Sequence, residues 1–352
     1  MTALATGPEQ SASSRLSLHN ATSPPDAARQ PAAHASHRMS GADLPGSRPV
    51  WDKLRQVATR VPGLTGGARL LMMAGYRVLQ SGFVAKVESP VVLHPHGFRL
   101  ALDLREMHDF RMFWKLRAGG WYEPETSRLL DDLLCVGDTF IDVGANNGYF
   151  AVFAASRVGP EGHVIAIEPN PAAFGRLRQN VELNGFEHRV ACHQTAVGDV
   201  SGQGALFVEE FEDGWASLLP SPGKKQTVPV SIQPLDQLVE PAPSLVVKID
   251  VEGSELSALT GMEAILRGSR NLALILEWNR KFASSKLWTY LDARFEVRAI
   301  VRSATGYALE PVEGWRSLRH VLMVNLLCTR GPEYERGPAS RPRVVSPVAG
   351  PD

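Results

Sequence analysis

From residue 138 to residue 330 the chain alternates short apolar runs with amphipathic stretches, and few folds accept that rhythm. TFIDV (139–143), HVIAIE (163–168), RVACHQTAV (189–197), LVVKID (245–250) and LALILE (272–277) read as buried strands. Tyr149, Phe150, Val152 and Phe153 predict a helix after the first strand, stopped by Gly159-Pro160. Asn170-Pro171 supplies a capped start for the next helix, Phe174, Leu177 and Val181 line one face of it, and Asn184-Gly185 ends it. Leu256, Leu259, Met262 and Ile265 predict one helix after the fourth strand. FEVRAIV and HVLMVNLL read as two late strands with no clear helix between them, a closing antiparallel pair. Strands alternating with helices imply a mostly parallel sheet covered on both faces. Ligands of such sheets sit beyond the carboxyl ends of the strands.

The rest of the sequence limits what the domain can serve. Lys plus Arg and Asp plus Glu are each 37, so the formal net charge is zero, which argues against a dedicated nucleic-acid binder. Cys135, Cys192 and Cys328 form no CxxC pair and are too few for a disulfide scaffold. No run of 18 uncharged apolar residues exists, so no membrane span is expected. Residues 1–50 hold 10 Ala, 8 Ser, 6 Pro and no aromatic residue, and read as a disordered arm without a secretory signal. The five prolines of 331–352 mark a flexible tail. The domain organisation expected is an arm (1–50), a helical and hairpin extension (51–135), a ligand-binding domain (136–330) and a tail (331–352).

Within the extension, 67–86 reads as a basic helix packed on the domain. FVAKVESPVVL and FRLALDL predict a hairpin turning at His94-Pro95-His96-Gly97, read as a turn and not as a metal site. Two helices follow over 108–135, broken by AGGWYEPET, which sets Tyr122 and Glu123 just before the second.

The strand ends carry carboxylates: Asp142, Glu168, Asp250 and Glu277. The turn DVGANNG lacks both the GxGxxG and the Walker spacing. Asp142 just before Gly144 would repel a pyrophosphate but suits a ligand bearing an ammonium and a sulfonium, as S-adenosylmethionine does. Glu168 ends the second strand, where a carboxylate can accept two ribose hydroxyls. Gly144 and Gly148 are expected to let the backbone approach the ligand.

GWYEPET, GDTFIDVGANNGYF, GHVIAIEPNP, LRQNVELNG, AVGD and VKIDVEGSELSALTGM together resemble the FkbM family of S-adenosylmethionine-dependent methyltransferases, over roughly residues 85–325. The resemblance implies a class I methyltransferase fold, a Rossmann-like seven-stranded sheet, and usually O-methylation. It also implies that Asp142, Gly144, Asn146 and Gly148 surround the methionine part of the cofactor and that Glu168 holds the ribose. Ala196, Val197 and Asp199 would border the adenine, and Glu123 would close over the amino-acid end. Asn147 departs from the isoleucine frequent in that turn and is expected to start the helix.

Lys248 sits in a strand expected to be buried on both faces, so it needs a partner among Asp142, Asp250 and Glu277. Asp250, Lys248 and Glu252 are the expected catalytic residues, with Asp250, Glu252 and His320 the candidate bases; no metal is assigned. The strand ends in DVEG and not in [DN]PP[YF], which disfavours methylation of nucleobase amines. The expected partner is a small-molecule or glycan acceptor bearing a hydroxyl on a sugar or polyketide-type product, met in the cytoplasm. The sequence leaves the oligomeric state open. A dinucleotide-dependent oxidoreductase and a non-catalytic cofactor-binding module are the alternatives.

Overall fold

The computed structural model describes residues 90–331 except 210, 211, 221–225 and 305. The expectations for the arm, for the helix over 67–86 and for the tail from 332 onward lie outside these residues.

The described part of the hairpin forms as expected, with β1 (Val91–Leu93) antiparallel to β2 (Arg99–Ala101), while residues 83–89 of its first run lie outside the described residues. The helices α1 (Met107–Arg117) and α2 (Pro124–Leu133) follow. Asn180 binds this extension to the domain, accepting the Ala101 N–H (2.7 Å) and donating to the Ala101 and Asn147 carbonyls (3.2 and 2.8 Å).

The central sheet is built from β3 (Thr139–Val143), β4 (His163–Ile167), β5 (Val190–His193), β10 (Ser244–Ile249), β11 (Asn271–Asn279), β12 (Glu296–Ser303), β13 (Gly306–Pro311) and β14 (Met323–Arg330). Its order is β13-β12-β14-β11-β10-β3-β4-β5. Strands β5, β4, β3, β10 and β11 run parallel, while β14 lies antiparallel between β11 and β12. The closing antiparallel pair is therefore present. The sheet has eight strands and not seven, because β13 folds back on β12 before the chain reaches β14. The parallel strands are apolar on both faces because helices cover both: α3 (Tyr149–Arg157), α4 (Pro171–Leu183), α5 (Glu255–Thr260), α6 (Glu263–Gly268) and α7 (Ser285–Asp292).

Two local departures have clear causes. The run 189–197 splits: β5 stays in the central sheet, but β6 (Ala196–Val197) leaves it to pair with β9 (Gln226–Gln233). Together with β7 (Gly202–Glu209) and β8 (Glu212–Ser217) these make a second, four-stranded sheet. The single helix expected over 256–265 is two, α5 and α6. Gly261 passes so close to the Gly198 backbone that a Cβ there would strike the Gly198 carbonyl oxygen, and the Asp236 carboxylate accepts the Ala264 and Ile265 N–H groups (2.8 and 2.9 Å) to start α6 afresh.

Candidate active site

At the carboxyl ends of β3, β4 and β10 the parallel strands open into a cleft of about 810 Å³, open solvent at its mouth included. The turn after β3 contributes Gly144, Ala145 and Asn146; Glu168 comes from the end of β4, and Ala196 and Val197 from β6. Lys248, Asp250 and Glu252 come from the end of β10. The second sheet adds Leu206, Ala216 and Ser217, and the extension adds His108, Tyr122 and Glu123. Ser217 donates its hydroxyl to the Glu252 carbonyl (2.6 Å) and so ties the second sheet to the β10 loop.

The carboxylate of Glu168 accepts the Asn146 N–H at one oxygen and the Asn170 N–H at the other, both at 2.8 Å. A carboxylate offers about four lone-pair positions, so two remain for a ligand's hydroxyls. Burial pushes Glu168 up to about 7, against the pull of those two N–H groups. Asn146 itself keeps a buried Oδ1 without a hydrogen-bond partner at the cleft wall.

Lys248, Asp142 and Asp250 share one face of the sheet, because Lys248 pairs with Asp142 in the β10–β3 register and Asp250 lies two residues further on. The Lys248 ammonium donates to Asp250 Oδ2 at 2.8 Å and stands 4.7 Å above the centre of the Phe150 ring. Burial alone would lower the Lys248 pKa, but the charges of Asp250, Glu123 and Asp142 outweigh it and raise the pKa above the ordinary lysine value. Asp142 is fully buried, and its oxygens receive at most a marginal bond from the Ala151 N–H. Burial pushes it up to about 7, opposed by Lys248.

A second acidic group adjoins this pair. Asp250, Glu252 and Glu277 each place one carboxylate oxygen within 4.8 Å of the others. Burial, then the charges of Asp250 and Glu252, push Glu277 up to about 9, so it holds a proton at neutral pH.

Three non-glycine residues among those described have left-handed backbones: Glu123 (φ 38°), Asn146 (φ 48°) and Glu252 (φ 49°). All three line the cleft. Glu123 immediately precedes Pro124, and its carboxylate lies 3.4 Å from Asn325 Nδ2. Burial raises its pKa, with Lys248 pulling the other way.

Other expected residues stand elsewhere. Asp142, Gly148 and Asp199 are not part of the cleft wall. The Ser257 hydroxyl, on α5, donates to the Asp199 carboxylate at 2.8 Å. Neither glycine of the turn is explained by ligand approach alone. A Cβ at Gly144 would collide with the Asp250 carbonyl, and one at Gly148 would come within 2.6 Å of Leu177 Cδ1. Asn147 Oδ1 accepts the Tyr149 N–H (3.2 Å) at the start of α3, as expected, but its Nδ2 also reaches back 2.6 Å to Asp109. His320 is exposed and bonded to Arg319 (2.9 Å), away from the cleft. His94 is buried against Phe98, with Nε2 3.3 Å from the Tyr149 hydroxyl and Nδ1 accepting the His96 N–H at 3.2 Å, so the hairpin histidines serve the turn and its packing.

Sequence reasoning missed His108 and Asp109. Asp109 is fully buried and accepts the Asp103 N–H (2.8 Å) as well as Asn147 Nδ2. Burial pushes it up to about 6, opposed by Arg176, whose Nε lies 3.5 Å away. The same helix also carries Arg111, Lys115 and Arg117, so no local polar signal set the pair apart.

An acceptor-rich wall with a single ammonium fits a cationic, hydroxyl-bearing ligand, and the orphaned Asn146 Oδ1 adds one more acceptor. Comparison with known proteins agrees. Residues 142–304 match the methyltransferase FkbM domain. Hexuronic acid methyltransferase AglP of Haloferax volcanii is 27% identical over 51% of this chain and 72% of its own length. Methyltransferase 1 of Beauveria bassiana is 27% identical over 36% of this chain, and the chain spans 59% of that relative. Among solved structures, an S-adenosylmethionine-dependent O-methyltransferase of Thermotoga maritima aligns at 15% identity and a TM-score of 0.35, over 72% of this chain and 81% of its own. The match, over less than half of the chain, is to a methyltransferase domain and speaks against the oxidoreductase alternative.

Proposed function

We propose that this chain, which carries a methyltransferase FkbM domain over residues 142–304, transfers the methyl group to a hydroxyl oxygen of a sugar or glycan. The observation that carries the reading is Asp250. It stands at the end of β10 in the cleft, held by Lys248, yet its side chain is 26% exposed and within reach of an acceptor. The name of AglP, a hexuronic acid methyltransferase, favours a sugar over a polyketide-type acceptor.

The residues present divide the cleft into two ends. Glu168 would hold the ribose, Ala196 and Val197 would border the adenine, and Gly144, Asn146 and Glu123 would hold the amino-acid end. S-adenosylmethionine supplies a methyl group on a sulfonium, whose sulfur leaves as a neutral thioether. The protein's share is therefore to orient the acceptor oxygen and to receive its proton. Alignment of this kind lowers a barrier by roughly 7–11 kcal/mol. Asp250, fixed by Lys248, orients the hydroxyl; Glu252 flanks it. Three free cysteines suit a reducing compartment, which supports the cytoplasm. No described helix is long and apolar enough to cross a membrane.

The test is transfer of radiolabel from S-adenosylmethionine to hexuronic acid glycosides and neutral methyl glycosides, with amine-bearing analogues as controls. Label incorporated into the glycosides as a base-stable methyl ether is expected. Label on the amines alone would overturn the hydroxyl assignment.

A further inference from the structure

Transfer to a hydroxyl releases one proton, and the cleft holds a group fitted to take it. His108 lies in the first turn of α1 and lines the same cleft as Asp250, although α1 precedes the matched FkbM domain. Its Nδ1 is 3.5 Å from the Tyr122 hydroxyl, and the two rings stand 5.2 Å apart, tilted by 57°. Its Nε2 has no hydrogen-bond partner among the described residues. Tyr122 is held in turn: Ser127 donates to its carbonyl, and its ring packs against Tyr149 with centres 5.3 Å apart.

Two of the four carboxylates lining the cleft are otherwise engaged. Asp250 already accepts from Lys248, and the same ammonium competes with any hydroxyl proton for it. Both Glu168 oxygens accept backbone N–H groups at the far end. An imidazole that is neutral at working pH is the usual proton acceptor in such a setting. Burial, then the Arg176 charge, lower the His108 pKa to about 4, with Asp250 opposing and Lys248 and Arg111 assisting. Burial and the amino-terminal end of the helix thus weaken the ring as a base, so it takes the proton only as the new C–O bond makes that oxygen acidic.

We propose that His108, oriented by the Tyr122 hydroxyl, is the catalytic base that accepts the proton of the acceptor hydroxyl. The inference rests on the hydroxyl-methylating reading above. As the O–H bond breaks, its proton passes to the imidazole; the oxygen forms the new C–O bond; the C–S electron pair stays with sulfur; and the imidazolium returns the proton to water. His108 would thus bring a residue of the extension into the acceptor half of the site.

The test uses the full chain with radiolabelled S-adenosylmethionine and the glycoside panel. His108→Gln is expected to lower the single-turnover rate by ~10²–10⁴-fold. Its cofactor affinity by calorimetry should stay within about twofold, and its melting temperature near that of the parent. Added imidazole should restore part of the rate to His108→Ala, a readout that a packing role would not move. Nitrogen-15 NMR should show the His108 ring neutral from pH 6 to pH 9. Tyr122→Phe should fall less than His108→Gln. An active parent with His108→Gln within threefold of it, or a folded His108→Ala that imidazole does not rescue, would overturn the proposal and leave the hydroxyl reading standing. A parent that labels no hydroxyl would overturn both.

Discussion

Lys248 Nζ lies 2.8 Å from Asp250 Oδ2, while in the strand register Lys248 stands beside Asp142. One buried ammonium thus serves two carboxylates of opposite character. Asp142 is sealed from water, and Asp250 reaches into the cleft. Removing the ammonium strands the sealed carboxylate and frees the other.

Lys248→Met should therefore destabilise the protein by about 3 kcal/mol, the scale for losing one partner of a buried pair. Adding Asp142→Asn should recover a good part of that loss, because the stranded charge goes with it. Urea melts of the two single variants and the double variant give the coupling. A double variant that only sums the two losses would refute the pairing.

Asp142 titrates at about 7 when folded, far above its unfolded value of 3.8. A raised carboxyl pKa gives stability that is fully present below about pH 4 and is lost as pH rises to about 7. Relative to Asp142→Asn, the cofactor-free parent should lose on the order of 2 kcal/mol between pH 5 and pH 8. Glu168 titrates in the same direction in both proteins and cancels from the comparison. Parallel pH dependence of the two melting curves would contradict an Asp142 whose burial outweighs the pull of Lys248.

Glu168→Gln keeps the side chain's shape but replaces one acceptor oxygen by a donor. Cofactor affinity should fall by ~1.5–3 kcal/mol, the scale of a hydrogen bond to a charged group. Calorimetry reads this directly, and an unchanged affinity would remove Glu168 from the ribose subsite.

Asp109→Ala leaves the Asp103 N–H and Asn147 Nδ2 without their acceptor in a fully buried place. A loss of about 2–4 kcal/mol is expected. Hydrogen exchange should speed up in α1 before the central sheet, since Asp109 fastens that helix to the β3 turn. Uniform acceleration would mean that the contact does not act locally.

The central strands were legible because buried parallel strands leave near-continuous apolar runs, and Thr139–Val143 emerges with the bounds expected. The carboxylates Glu168 and Asp250 were legible because each ends such a run. The second sheet was not. Its strands mix polar and apolar residues, as in Gly202–Glu209, and the departure of Ala196–Val197 depends on pairing with a strand more than 30 residues away. Asp199 was misplaced for the same reason, since the turn after Val197 follows the second sheet and not the first. His108 and Asp109 gained their roles from tertiary contacts with Tyr122 and Asn147, which no local pattern encodes.

The left-handed backbones of Glu123, Asn146 and Glu252 all border the cleft. Each such conformation costs about 1–3 kcal/mol, a strain that glycine would escape. Selection for a more heat-resistant chain would therefore act first on the wall of the cleft. A change to glycine there would discard a carboxylate or an amide from the cleft wall. Under the proposed function, relief of strain at these three positions would raise heat tolerance at the expense of turnover.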